Sequence, residues 1–223
     1  MSDGTIVADG PAAPAGVTAA LVGCGVIAGP TYVVVSLAQA LTRDGFDLTR
    51  HPWSVLENGH LGWIQSLNLV LTGLLSVGFA IGVRRALRSG RGTMWTPRLL
   101  GLYGLGLVAG GVFIADPMPG FPPGTGDAVG VSWHGMLHFV AGGVGFVGLI
   151  AACLILGARF AAEGSPGWAW FSRITGVLFA AGFIAVGAGA GSAWSNVAFS
   201  VAVVLAWAWF TALAARLYRR VRS

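Results

Sequence analysis

All four histidines and five of the eight acids fall in two stretches of a chain in which only 9% of residues are charged. The first stretch, TRDGFDLTRHPWSVLENGHLGWIQ from Thr42 to Gln65, holds Asp44, Asp47, His51, Glu57 and His60. The second, ADPMPGFPPGTGDAVGVSWHGMLH from Ala115 to His138, holds Asp116, Asp127, His134 and His138. Imidazoles and carboxylates together move protons or bind metals. His134 and His138 are four residues apart, which on a helix sets both rings on one face, about 6 Å apart along the axis. Ala141, Gly142 and Gly145 continue that face. Small residues let a second helix approach, so the face is expected to point into a bundle. The pair would make half of a metal site, with His51, His60, Glu57 or Asp116 as a third ligand. The plainer alternative is two imidazoles bonded to loop carbonyls.

Asp116 directly follows an apolar run, in ADPMPGFPPG, where Pro117, Pro119, Pro122 and Pro123 stiffen the loop. A carboxyl held there and partly buried can serve as an acid. An Asp at this position can equally cap a turn. Glu57 and His60 lead into a run where Gln65, Asn68 and Thr72 recur at spacings of three and four, a polar stripe on one helical face. The stripe either lines a cavity or bonds to a neighbouring helix. Trp53, Trp63 and Trp133 stand near the same ends. They form either an interfacial belt or a pocket wall that stabilises a cation. Trp53, His60, Trp63, Gln65, Asn68 and Trp133 are therefore the candidate substrate contacts.

The elements that must position these residues follow from composition. The chain has 223 residues, 55% hydrophobic and 9% charged, with mean hydropathy +0.77. Soluble domains carry about 25% charged residues, so a cytosolic globule, a disordered chain and a secreted disulfide scaffold are excluded. A bilayer core about 30 Å thick takes roughly 20 apolar residues as a helix. Six runs qualify: Thr18–Leu41, Leu61–Val83, Leu99–Ala115, Ser132–Leu156, Ile174–Gly191 and Trp194–Ala215. The expected fold is an all-α integral membrane protein, a six-transmembrane-helix bundle forming one domain over 18–215. An N-terminal tail (1–17) and a basic tail (216–223) flank it. The Gly187–Ser195 connection has room for a re-entrant bend.

All 13 basic residues are Arg. Except for Arg43 and Arg50, they lie between runs two and three, between runs four and five, or in the tail. The positive-inside rule then puts both termini in the cytoplasm and the histidines at the outer face. The +5 charge reads as topology and anionic-lipid contact rather than nucleic-acid binding. Asp3 and Asp9, with no basic residue beside them, argue against a cleaved signal peptide. Cys24 and Cys153 fall inside runs and are expected to pack as small apolar residues. The sequence contains no phosphate-binding loop, GxSxG, HExxH or CxxC. Without Lys there is no retinal Schiff base.

Five segments carry a family likeness: RHPWS, LGWIQSLN, ADPMPGFPPG, SWHGMLHF and, more weakly, RITG at Arg173. Through them the chain resembles the domain of unknown function 998 family of bacterial and archaeal multi-span membrane proteins. The resemblance spans nearly the whole chain. It implies a six-helix bundle in a bacterial cytoplasmic (inner) membrane. His51, Asp116, His134 and His138 stand in its motifs, whereas Glu57 and His60 are less typical of it.

Three functions fit these residues. The first is an integral-membrane enzyme acting on a lipophilic, isoprenoid-like substrate by acid–base chemistry at the outer-leaflet end. Proton-initiated terpene cyclisation or isomerisation is the concrete form. Asp116 or Glu57 would donate the proton, a histidine would orient that carboxyl, and the tryptophans would stabilise the cation, with no cofactor required. The second is a metal-dependent membrane lipid hydrolase, with Zn²⁺ on His134, His138 and His51 or His60. The third is a non-enzymatic lipid-binding or scaffolding protein. Expected partners are membrane lipids and a lipophilic small molecule, with no nucleic acid.

Overall fold

Long apolar runs satisfy their backbone groups most simply as helices, and the chain does this throughout. A computed structural model describes residues 15–127, 130–188 and 192–223. Most of the expected N-terminal tail and the centre of the Gly187–Ser195 connection lie outside the described residues. The helices are α1 (Ala15–Thr42), α2 (Gly62–Ala86), α3 (Trp95–Val112), α4 (Trp133–Ala162), α5 (Pro166–Ala188) and α6 (Ala193–Arg222). A short 3-10 turn, Trp53–Glu57, lies between α1 and α2. Among the described residues, all of these α-helices except α3 are long and apolar enough to cross a membrane. α3 has 18 residues and opens on Trp95-Thr96-Pro97-Arg98, which lowers its apolar content.

Each helix packs against its neighbours in sequence, and α6 closes back on α1, so the six form a ring. The connections from α1 to α2 and from α3 to α4 lie at one end, called here the histidine end. The other end carries most of the arginines. There Arg159 Nε lies 2.7 Å from Glu163, and Nη1 donates to the carbonyls of Ser89 and Arg91. These bonds pin the α2–α3 connection to α4.

Glycine sets the spacing of the ring. A Cβ on Gly73 would lie 2.7 Å from the Gly104 carbonyl oxygen, and one on Gly104 would lie 2.8 Å from that of Gly73. On the other side of α3, a Cβ on Gly106 would lie 2.8 Å from the Ala141 oxygen and 2.9 Å from Gly145 Cα. α3 is thus in near backbone contact with both α2 and α4, the packing that small residues permit in membranes.

Two boundaries differ from the sequence expectation. α5 begins at Pro166 rather than Ile174, because proline suits the first helical position and Trp168, Trp170 and Arg173 extend the helix without raising its hydropathy. Trp209 Nε1 fixes this early segment by donating to Ser172 Oγ at 2.9 Å. The residues expected as a basic tail form the last turns of α6, since arginine favours helix and its charge suits a C-terminus. Cys24 and Cys153 are free, and Cys153 is buried.

Candidate functional site

The site begins with the 3-10 turn that presents Glu57. Arg43 donates to the carbonyls of Leu56 and Asn58, the latter at 2.5 Å. Asn58 Nδ2 donates to the Ala115 carbonyl at 3.0 Å, which ties the turn to the second histidine-rich stretch. A Cβ on Gly62 would overlap the Glu57 carbonyl, so only glycine lets α2 start this close to the turn. Burial lowers the pKa of Arg43. Asp47, bonded by the Thr49 hydroxyl and N–H, is held below the usual carboxylate range.

These contacts turn the Glu57 side chain inward, where it is fully buried. Oε1 accepts from Ser66 Oγ at 3.1 Å, and Oε2 accepts from the Ala115 N–H at 3.3 Å. Oε2 also lies 3.2 Å from His138 Nδ1. The same nitrogen is 2.9 Å from the carbonyl oxygens of Gly110 and Phe113, at the end of α3. Three acceptors around one ring nitrogen assign it the proton. His138 therefore closes the orphan carbonyls of α3 with Nδ1 and keeps Nε2 unbonded among the described residues.

His138 lines a cavity of about 180 Å³ inside the ring of helices. The wall is aromatic, with Tyr32, Trp53, Tyr103, Phe146, Phe179 and Trp207 among its residues. Tyr32 stacks on Trp207 at 5.1 Å and on Trp53 at 6.0 Å. Two wall residues, Trp53 and Ser200, carry buried polar atoms with no hydrogen-bond partner among the described residues. Folded proteins leave few such atoms. A buried carboxylate–imidazole pair beside an apolar cavity can hold one nitrogen in a fixed tautomer and offer the other to a substrate proton.

The two histidine-rich stretches do come together, but their residues divide into different jobs. His51 is buried with both nitrogens used: Nδ1 accepts from the Asp47 N–H at 3.0 Å, and Nε2 donates to the Pro119 carbonyl at 3.0 Å. Its ring packs between Phe46 and Phe121. His51 therefore clamps the two stretches to each other and does not line the cavity. His134 is exposed, with its ring 3.9 Å from that of Trp133. It sits in the first turn of α4 with its ring outside, whereas His138 lies one turn deeper and reaches the carbonyls at the end of α3. The expectation of two imidazoles serving one site is corrected accordingly. His134, His138 and His51 do not assemble, and among the described residues no three His, Cys, Asp or Glu side chains group as metal ligands.

Asp116 is half-buried and accepts from the Ser132 N–H at 3.0 Å. Ser132 in turn caps α4 by accepting from the Gly135 N–H. A Cβ on Gly135 would overlap the Asp116 carboxylate. Asp116 thus braces the start of α4, and Glu57 is the carboxylate beside the cavity histidine. The Asp116→Ala variant is expected to lose about 1 kcal/mol of stability, a helix-cap cost, while Asp116→Asn still accepts the bond and stays within a few tenths. Thermal melts in detergent check this, and melts equal to wild type for Asp116→Ala would overturn it.

His60 is exposed at the histidine end. Trp63 and Trp133 are 62% and 65% exposed, as an interfacial belt requires, while Trp53 is buried in the cavity wall. Gln65 and Asn68 are buried but face α1, not the cavity: Gln39 Nε2 donates to Gln65 Oε1 at 2.9 Å, and Asn68 Nδ2 donates to the Tyr32 carbonyl at 3.2 Å. Asn196 went unnoticed in the sequence. It donates to the carbonyls of Thr49 and Arg50 and ties α6 to the first stretch. A lone amide at the start of an apolar run was the only available signal. The wall residues Tyr103, Phe146, Phe179 and Trp207 carried none, because aromatics within spans look alike whether they face lipid or core.

The ring of apolar helices around a cavity bordered by the Glu57–His138 pair defines a multi-pass helical membrane protein. Residues 26–216 match the family described as a protein of unknown function (DUF998), and the chain belongs to that family. No curated protein and no solved structure matches it.

Proposed function

We propose that this chain is an integral-membrane enzyme that moves a proton to or from a lipophilic, isoprenoid-like substrate held in the aromatic cavity. The observation that carries this reading is His138, with Nδ1 bonded to Glu57 and two carbonyls while the ring lines the cavity. Nε2 is the catalytic atom, and Glu57 is the positioning residue. The wall rings offer π faces to positive charge developing on the substrate. An imidazole (pKa about 6.5) is a better base, and its conjugate a weaker acid, than a carboxyl near 4. Double-bond isomerisation needs the ring both to give and to take a proton, and therefore suits the site better than cyclisation: the imidazolium passes its Nε2 proton to one alkene carbon, the wall rings face the resulting carbocation, and Nε2 takes a proton from a neighbouring carbon as the double bond re-forms. The zinc hydrolase lacks an assembled ligand set among the described residues.

In this reading all six helices span the bilayer. α3, at about 27 Å, is carried by its two closely packed neighbours. The arginine end and both termini face the cytoplasm of a bacterium, and the histidine end meets the outer leaflet. The test is to incubate membranes in D₂O with a panel of prenyl alcohols and prenyl quinones, followed by mass spectrometry. Deuterium is expected in the prenyl chain with the wild-type protein and not with His138→Ala. Equal incorporation in both would overturn the assignment. Loss of stability alone in His138→Ala would favour the non-enzymatic lipid-binding alternative.

A further inference from the structure

α4 and α5 are in contact along their length in two different ways. Toward the arginine end they meet through glycine. A Cβ on Gly157 would lie 2.7 Å from Arg173 Cγ and 3.2 Å from the Ala169 oxygen. A Cβ on Gly176 would lie 2.9 Å from Cys153 Cβ. Toward the histidine end the backbones leave room. A Cβ on Gly142 would meet nothing within 4 Å, and one on Gly143 would meet only Phe183 Cζ, at 3.7 Å. Phenyl rings fill this gap: Phe146 and Phe183 lie 5.1 Å apart, and Phe139 and Phe183 lie 6.4 Å apart.

The same stretch borders both the cavity and the outside. Phe139 lines the cavity yet is 60% exposed, and Gly142, Gly143, Phe183 and Val186 also line it. A residue on both surfaces marks where a cavity opens. The flanking faces are apolar, with Val140, Val144, Val147 and Ile184 exposed. No charged residue occurs from Phe139 to Ala158 or from Ile174 to Ala188. Both helices are long and apolar enough to cross a membrane, so this opening faces hydrocarbon rather than water.

We infer that the histidine-end halves of α4 and α5 form a lateral portal, with Phe139 and Phe183 as its leaves, through which an isoprenoid lipid enters the cavity from the bilayer. The proposal rests on the enzymatic reading for the use made of that lipid, but not for its entry. The cavity runs from His138 to Phe146 along α4, roughly 12 Å at 1.5 Å per residue. That length takes a short piece of an extended chain, so the rest of a long lipid stays in the membrane. The polar end then lies toward His138, which among the described residues is the ionisable side chain on the wall besides the two tyrosines.

The experiment uses the full chain in vesicles of phosphatidylethanolamine and phosphatidylglycerol. The probe is geranylgeraniol carrying a diazirine near its tail, with adducts mapped by mass spectrometry after photolysis. Adducts are expected on wall residues such as Phe146, Phe179 and Trp207. Gly142→Trp, which places a ring in the open space, should lower them about tenfold, equivalent to about 1.4 kcal/mol of binding. Phe183→Ala, which removes one leaf, should raise them. Adducts confined to the lipid-facing Val144, Val147 and Ile184 would overturn the portal, as would wall adducts that Gly142→Trp leaves unchanged. If Gly142→Trp fails to fold, Phe183→Ala decides, and no rise in wall adducts counts against the proposal. Wall labelling without deuterium exchange sinks the enzymatic reading and leaves the portal standing, whereas exchange without wall labelling does the reverse.

Discussion

The His138→Ala variant is expected to lower prenyl-lipid turnover by about 10²–10⁴-fold, the usual worth of one positioned acid–base group. The expectation follows from how few alternatives the cavity offers, since its other wall residues are aromatic, aliphatic, glycine, serine or proline. Glu57 supplies a finer test, because it reaches the substrate only through His138. In Glu57→Gln the amide oxygen can take over the bonds from the Ala115 N–H and His138 Nδ1, while the amide nitrogen donates to Ser66. The fold should therefore survive, with kcat lowered about tenfold or more through loss of the charge that steadies the imidazolium. KM should stay near its wild-type value, a split that a purely structural role would not produce. Glu57→Ala is different in kind. It strands a buried N–H and a hydroxyl, and removes the charged partner of an imidazole, at a cost of roughly 2–4 kcal/mol. Undiminished kcat in Glu57→Gln would reduce the pair to a cap on α3.

The second large effect is expected where α2 crosses α3. Gly73→Ala and Gly104→Ala each drive a methyl group against a backbone carbonyl of the facing helix, at 2.7 and 2.8 Å. A flexible side chain can swing away from such a contact, but a helical carbonyl cannot, so the helices must separate. Overpacking of this kind costs about 1–3 kcal/mol, and more when backbone is the obstacle. Once the first methyl has parted the helices, the second meets less resistance. The double variant should thus cost clearly less than the sum of the singles, a coupling of about 0.5 kcal/mol or more. Gly101→Ala is the internal control, because its Cβ would stand 3.8 Å from Ala80, an ordinary contact. Melting of the purified variants in detergent measures all four. Additive costs, or a Gly101→Ala change as large as the others, would refute the account of α3 as a helix gripped on both sides.

Much of the site was legible as an inventory, and less of it as an arrangement. The spacing of His134 and His138 put both rings on one helical face, yet only His138 meets the end of α3. Spacing fixes direction around a helix axis and says nothing of how far the neighbouring helix extends. Asp116 was recognisable as a turn residue or an acid. The choice between them depended on Ser132 and Gly135, which fold back against it. The Gln65–Asn68 stripe was legible as polar, but its partner, α1, was not. Glu57 was among the candidates, though its pairing with a histidine from a distant segment leaves no trace in local pattern.

What the sequence determined by itself was the medium and the elements. A chain with so few charges has only the bilayer as a favourable environment, and there the backbone must close its hydrogen bonds within helices. Glycine content foretold close packing, and the polar residues capable of chemistry were countable by eye. Tertiary structure alone decided which of those residues face one another and where empty space remains. A hydrogen bond between Glu57 and His138 depends on ångström-scale distances set by six helices at once, and the cavity depends on where aromatic rings fail to meet. Hydropathy and periodicity are averages over turns of helix, and neither carries that resolution.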